Sequence, residues 1–535
     1  MPAQLQPSRA AASPTSTRAR LDAARGERLH TLLIPACVVA VIGIVAEFAT
    51  WPEADVTWLL TVARKMAAGA TLYSDDLVEV NPPLVMELGR LALWVGQHLG
   101  FDAISSWRGM TVTMIAAALP LSLLLLNRLL GERDDPVRAL AGALLGTVLA
   151  CLPGSNFGQR EHLIALCLTP YALAGALYVS GAILSFGPSL MVGAMLAVAV
   201  AIKPHYILVV FAVEATVAAA RARRGDRPFV LRTDLTTAVA ATAVLIGLTA
   251  IVHPTYFSVA LPLALWYYPS YGKFELTSSS WAYPLLAIAL DMLAARVGVR
   301  APASRTLIYA GLASAAAYLI QGKGWEYHFV PARCLFALSI GMTVLIVCEQ
   351  FARRAWPTPP KALWRMVGLT ALVAFIVAVG VATARRAERL NAGGRAQQVR
   401  ALRAVFERAQ SPDVPQSVSA WTLEMFPAFP VTELVGADWA SRFSCLWMIP
   451  AIEAHEAAHP ADRSGRRLLE RAMTDDLVHR DPTFVVIEVA RSRVLDEIVA
   501  LPTVQAALSD YHQTGEVGNL RVWVRDVAVS TRQLR

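Results

Sequence analysis

The chain has 535 residues, 56% of them apolar and 16% charged, with a formal net charge of +8. A mean hydropathy of +0.47 excludes an ordinary soluble protein. The basic residues stand in short clusters between apolar runs rather than in one stripe, which argues against nucleic acid as a partner.

Residues 1–30 hold Pro2, Pro7, Pro14 and five arginines among small residues, the composition of a disordered cytoplasmic tail. The apolar run that follows has no clear small-residue cleavage site and reads as an anchor. Spanning a bilayer takes roughly 20 apolar residues per helix. Eleven stretches approach or meet that length, at 31–50, 109–127, 139–155, 163–180, 183–202, 205–220, 235–252, 281–295, 305–320, 328–348 and 365–384. The expected fold is a polytopic all-α membrane bundle of about 11–13 transmembrane helices. Of the six cysteines, only Cys445 falls in the long polar C-terminal region, so that region has no internal disulfide.

Arginine clusters fix the orientation, because cytoplasmic loops hold the excess of Lys and Arg. The N-terminal tail, Arg221–Asp234, the stretch with Arg296, Arg300 and Arg305, and the stretch with Arg353, Arg354, Lys361 and Arg365 go inside. Trp51–Gly100, Gly154–His162, Lys203–His205, His253–Leu276, Gln321–His328 and the tail from Arg385 then fall outside. This parity requires that Pro82–Leu99, which carries Glu87, Arg90 and Gln97, lie on the outer surface as an interfacial helix.

Polar residues recur in these outer segments. Asp55 sits just beyond the first span, ahead of a helical pattern through Trp58, Leu59, Val62 and Met66. It reads either as a solvated loop acid or as a reactive carboxylate. Asp75, Asp76 and Glu79 either bind a divalent cation through hard oxygens or cap the helix that begins at Pro82-Pro83. Gln159-Arg160-Glu161-His162 is either a plain polar turn or a site in which Glu161 or His162 joins a metal and Arg160 forks onto a phosphate. Lys203 and His205 flank Pro204 at a helix junction. The densest group is Lys323, Trp325, Tyr327 and His328, with Arg333 one turn into the next span. It reads as a phosphate clamp with an aromatic wall, against snorkelling to the interface for Arg333. Tyr271, in Trp266-Tyr-Tyr-Pro-Ser-Tyr271, either contacts a sugar or lipid or belongs to an interfacial aromatic belt. Together these side chains suit an anionic headgroup on a greasy tail.

Residues 385–535 read as a small extracytoplasmic α/β domain. Ala396–Ala409 has helical spacing, Phe484–Val489 and Leu520–Val524 read as strands, and Glu497–Tyr511 reads as a helix between them. Val414–Pro430 reads as a loop rich in proline and aromatic residues.

An outer acid after the first span, then Gly69-x-x-Leu72-Tyr73-x-Asp75 and Asn81-Pro82-Pro83-Leu84, resembles integral membrane glycosyltransferases of the GT-C superfamily. These include relatives of protein O-mannosyltransferases and of the lipid A aminoarabinose transferases. The resemblance implies a bacterial inner-membrane enzyme, residues 31–384 forming the transferase module and 51–82 its catalytic first outer loop. Its active site and C-terminal domain would face the periplasm or exterior. It implies inverting transfer of a sugar from a polyprenyl-phosphate donor to a hydroxyl acceptor on a glycan, lipid or protein. Asp55 would be the catalytic carboxylate, acting as general base on the acceptor hydroxyl. Glu79, Arg160, Glu161, His162, Lys203, His205, Tyr271, Lys323, Trp325, Tyr327, His328 and Arg333 would bind substrate. The acids at Asp75, Asp76 and Glu161 allow Mg2+ or Mn2+ without requiring it. Where relatives often have Lys-Pro-Pro-Leu, this chain has Asn81-Pro-Pro-Leu, which removes one expected phosphate contact. The competing reading is a flippase, ligase or polymerase of lipid-linked glycans.

Overall fold

A computed structural model describes residues 14–271, 278–299, 302–356, 360–409 and 416–526. Each of the eleven apolar stretches is helical. The helices run α1 (Pro14–Phe48), α2 (Ala54–Ala67), α3 (Leu84–Leu99), α4 (Ala103–Leu130), α5 (Asp135–Gly146), α6 (Arg160–Val179) and α7 (Phe186–Ile202). They continue as α8 (Ile207–Arg223), α9 (Thr233–Val252), α10 (Leu261–Tyr267), α11 (Ser278–Arg296), α12 (Pro302–Ile320), α13 (Val330–Ala355) and α14 (Lys361–Ala392). Among the described residues, seven helices are long and apolar enough to cross a bilayer. Others expected to cross are shorter: α7 has 17 residues, and α5 gives way to a π-turn at Thr147–Cys151. Helix α1 begins at Pro14, so part of the expected tail continues the first span.

The bundle sorts its helices by what they face. α6 is buried along almost its whole length, whereas α9 and α14 turn Val239, Val244, Ile251, Val373, Val377 and Val381 outward. In lipid, apolar side chains gain little by meeting each other, so close backbone approach carries much of the packing. Gly142 and Gly146 of α5, four residues apart, show this. A Cβ on either would stand 2.2 and 2.4 Å from the carbonyl oxygens of Leu32 and Ala36 on α1. The 82–99 stretch is α3, a 16-residue helix that exposes Leu91, Trp94, Val95 and Leu99 on one side and packs Val85, Met86, Gly89 and Ala92 on the other.

The C-terminal part adds α15 (Gly394–Ala409), β1 (Ser417–Trp421), α16 (Ala428–Leu434), β2 (Asp438–Trp439), α17 (Ile449–Ala458) and α18 (Ser464–Arg480). It closes with β3 (Phe484–Glu488), α19 (Arg493–Val499), α20 (Pro502–Ala507), β4 (Tyr511–Val517) and β5 (Leu520–Arg525). The sheet order is β2-β1-β3-β5-β4, with β1 parallel to both neighbours and β5 antiparallel to β3 and β4. β3 is buried throughout, as its apolar run predicts. The single helix expected over Glu497–Tyr511 is instead two short helices with Pro502 starting the second, and Tyr511 opens β4. Within Val414–Pro430, Ser417–Trp421 is a strand, while 414–415 lie outside the described residues.

This α/β unit clasps the first loop of the membrane module. Arg64 pairs with Glu433, and Lys65 Nζ donates to the Ser441 carbonyl at 3.3 Å. The Val78 amide donates to the Arg442 carbonyl at 2.9 Å, and Arg480 Nη2 reaches Asp76 Oδ1 at 2.8 Å. Trp58 meets Phe429 edge-on, ring centroids 5.7 Å apart.

Candidate active site

Two helix starts meet at the centre of the site. The Glu53 carboxylate accepts the Asp55 amide at 2.6 Å and so caps α2, which places Asp55 in the first helical turn. A carboxylate there is favoured by the helix dipole. α6 begins at Arg160, whose Nη2 lies 3.0 Å from Asp55 Oδ1. Burial pushes the Asp55 carboxyl above its usual range; Arg160 and Lys203 oppose the shift, Glu161 and Glu79 add to it. Glu53 is pushed up to about 8, by burial first and then by the neighbouring Asp55 charge.

Asp55 opens on a cavity of about 640 Å³ between the bundle and the C-terminal domain. Glu79, Arg160, Lys323, Trp325, Tyr327 and Arg333 line it too, so seven of the expected residues, Asp55 included, share one space. The Lys323 ammonium is buried and stands 3.3 Å from the centre of the Tyr268 ring and 5.1 Å from that of Trp325. Among the described residues it has no carboxylate or carbonyl partner. Burial, with Lys203 and Arg160 nearby, holds its pKa well below the usual lysine range. Arg333 pairs with Glu326 at 2.8 Å.

A second group stands behind this wall. Glu161 is fully buried and bonded to Lys203, with His328 Nε2 at 3.3 Å. Lys203 also donates to Gln321 Oε1 at 3.1 Å, and burial lowers its own pKa. Glu161 and Lys203 hold each other, and neither they nor His328 line the cavity; the His328 ring nitrogens have no hydrogen-bond partner among the described residues.

Other expected residues take different places. His162 Nδ1 accepts the Gly158 amide at 3.0 Å while Nε2 bonds the Leu149 carbonyl at 2.8 Å, so both ring nitrogens are spent on the chain reversal before α6. His205 packs on Tyr206 and does not line the cavity. The Tyr271 hydroxyl donates to the Trp447 carbonyl at 2.6 Å, bracing the wall from outside. The expected metal set does not assemble. Asp75 and Asp76 are exposed, Asp76 is paired with Arg480, and Glu161 is enclosed by Lys203. Among the described residues, no three His, Cys, Asp or Glu come together to hold a metal ion.

Several lining residues were not anticipated. Glu53 carried a signal, since an acid two residues ahead of Asp55 is an N-cap pattern. Arg386 and Arg395, from the outer end of α14 and the start of α15, and Glu424, Phe426, Cys445 and Trp447 from the C-terminal domain carried none.

Fold and site together define a polytopic membrane protein whose polar cavity is walled on one side by a small α/β domain. No protein-family model matches the sequence, and no curated protein matches it. Among solved structures, the chain is similar to the crystal structure of ArnT from Cupriavidus metallidurans bound to undecaprenyl phosphate. The TM-score is 0.55 at 13% identity, covering 93% of this chain and 98% of that one. The apo structure of the same protein gives a TM-score of 0.52 at 14% identity with the same coverage. At this identity the likeness is one of fold: a polytopic helical bundle with a small C-terminal α/β domain.

Proposed function

We propose that this protein is an inverting glycosyltransferase that moves a sugar from a polyprenyl-phosphate carrier to a hydroxyl acceptor on the extracytoplasmic face of a bacterial inner membrane. The observation that carries the reading is one cavity holding an Asp55 carboxylate oriented by Arg160 and a buried Lys323 ammonium that has no directly bonded carboxylate among the described residues. A buried cation without a counter-ion is costly unless a ligand supplies the charge. The undecaprenyl phosphate bound to a protein of the same fold is the chemistry that would supply it.

In the proposed step, Asp55 accepts the proton of the acceptor hydroxyl as its oxygen attacks the anomeric carbon. The bond from that carbon to the carrier phosphate breaks, and the phosphate leaves with both electrons. The charge that develops on it falls to Lys323, in a setting where water competes weakly. A single displacement inverts the anomeric centre. Arg160 keeps Asp55 aimed and opposes, without cancelling, the upward push of burial on its carboxyl.

The test is turnover by the purified protein in nanodiscs, given undecaprenyl-phosphate sugars in turn, with Asp55→Asn alongside. The expected result is transfer, with at least about a hundredfold loss in the variant. Transfer that ignores the substitution would remove Asp55 from the chemistry.

A further inference from the structure

Trp58 is one of the side chains through which the C-terminal domain meets the first outer loop. It lies one turn beyond Asp55 on α2, and it is buried. Its ring meets Phe429 at 5.7 Å and Trp439 at 6.4 Å, both edge-on, and those two rings pack on each other at 4.5 Å. Its indole N–H donates to Glu79 Oε2 at 2.6 Å. The other Glu79 oxygen accepts three more donors: the Val80 amide at 2.8 Å, the Asn81 amide at 2.8 Å and Asn81 Nδ2 at 2.6 Å. Among the described residues Glu79 therefore gathers four N–H donors and no cation, and it sets the backbone and side chain of Asn81 against the cavity. On the domain side, Trp439 Nε1 donates to the Phe443 carbonyl at 2.9 Å, next to Ser444 and Cys445 of the cavity wall. Trp58 itself lines the cavity, whereas Trp439 is tied through Phe443 to the Ser444 and Cys445 wall of the same space.

We infer that Trp58 is a positioning residue through which docking of the C-terminal domain sets the Glu79–Asn81 corner of the cavity. The domain is then part of the active site's framework, not an appendage that only binds partners. The consequence for turnover rests on the donor reading above, whereas the positioning itself is read from the protein alone.

Two variants test it. Trp58→Phe keeps a ring against Phe429 and Trp439 but removes the donor to Glu79. Phe429→Leu thins the contact from the domain side and touches no cavity residue's hydrogen bonds. Hydrogen–deuterium exchange is read at the Val80 and Asn81 amides, with α2 and β3 as internal references. A hydrogen bond to a charged group is worth about tenfold to a hundredfold in such an equilibrium. Both variants are expected to speed exchange at those two amides about tenfold or more, with the references unchanged. With a lipid-linked sugar, Trp58→Phe is expected to lose about tenfold in kcat/KM, carried by KM. Unchanged exchange in Trp58→Phe would overturn the positioning role. A response to Trp58→Phe but not to Phe429→Leu would overturn its transmission from the domain. Faster exchange everywhere, references included, would mark Trp58 as plain core and also count against the proposal. If the exchange results appear while the wild type transfers no sugar, the positioning stands and the donor reading falls.

Discussion

Replacing Lys323 with methionine should change stability and ligand binding in opposite directions. The ammonium is buried against Tyr268 and Trp325 with no anionic partner among the described residues. Desolvating it costs several kcal/mol, and its contact with the aromatic faces returns about 2 kcal/mol. Methionine fills similar volume without that penalty, so Lys323→Met should unfold at a higher temperature than wild type in the absence of ligand. The pH dependence has a definite sign. A lysine held below its usual range binds a proton in the unfolded chain that it lacks in the folded one. Its penalty therefore lessens as pH rises from the lowered folded value toward the ordinary lysine value of 10.5, and the gap between variant and wild type should narrow over that window. Binding runs the other way. A charge-assisted contact to phosphate contributes about 1.5–3 kcal/mol, so the Kd for undecaprenyl phosphate should rise about tenfold to a hundredfold. Thermal unfolding in detergent with and without the lipid measures both effects. A variant that is less stable when empty, yet binds the lipid as wild type does, would refute the assignment of Lys323 as an anion site.

Glu53→Gln should keep the α2 cap, because an amide oxygen still accepts the Asp55 amide. Wild-type stability should fall as pH rises from 4.5 to about 8, since the folded protein holds the Glu53 proton over that range and the unfolded chain does not; the variant should be flatter when melting is followed across that interval. Gly146→Val should push α5 off α1, because a side chain there collides with the Ala36 carbonyl, and should cost at least about 2 kcal/mol in detergent-resistance or unfolding assays. Asp55→Glu should retain part of the transfer activity and Asp55→Asn almost none; equal activity in the two would argue against a proton acceptor at this position.

Sequence pattern carried the membrane module well. Long apolar runs have one stable form in a bilayer, the helix, so all eleven stretches appear as helices. The polar breaks at Asp55, Arg160, Lys203 and Lys323 are helix ends that the bundle brings to one place. The C-terminal domain was less legible. β4, Tyr-His-Gln-Thr-Gly-Glu-Val, is a polar edge strand held by its hairpin with β5, and it has too few apolar residues to show a strand period. The cavity wall from Glu424 to Trp447 comes from loops whose place depends on docking against Trp58 and Arg64. The expected metal set failed for a similar reason: acids close in sequence at Asp75 and Asp76 face outward, and Glu161 is spent on Lys203.

The most direct test of the central claim is a structure of the protein with undecaprenyl phosphate bound in nanodiscs. The phosphate is expected within hydrogen-bonding reach of Lys323, in the same cavity as Asp55, with the polyprenyl tail leaving between helices. A phosphate seated elsewhere, with Lys323 still on Tyr268 and the Asp55 cavity empty, would contradict it.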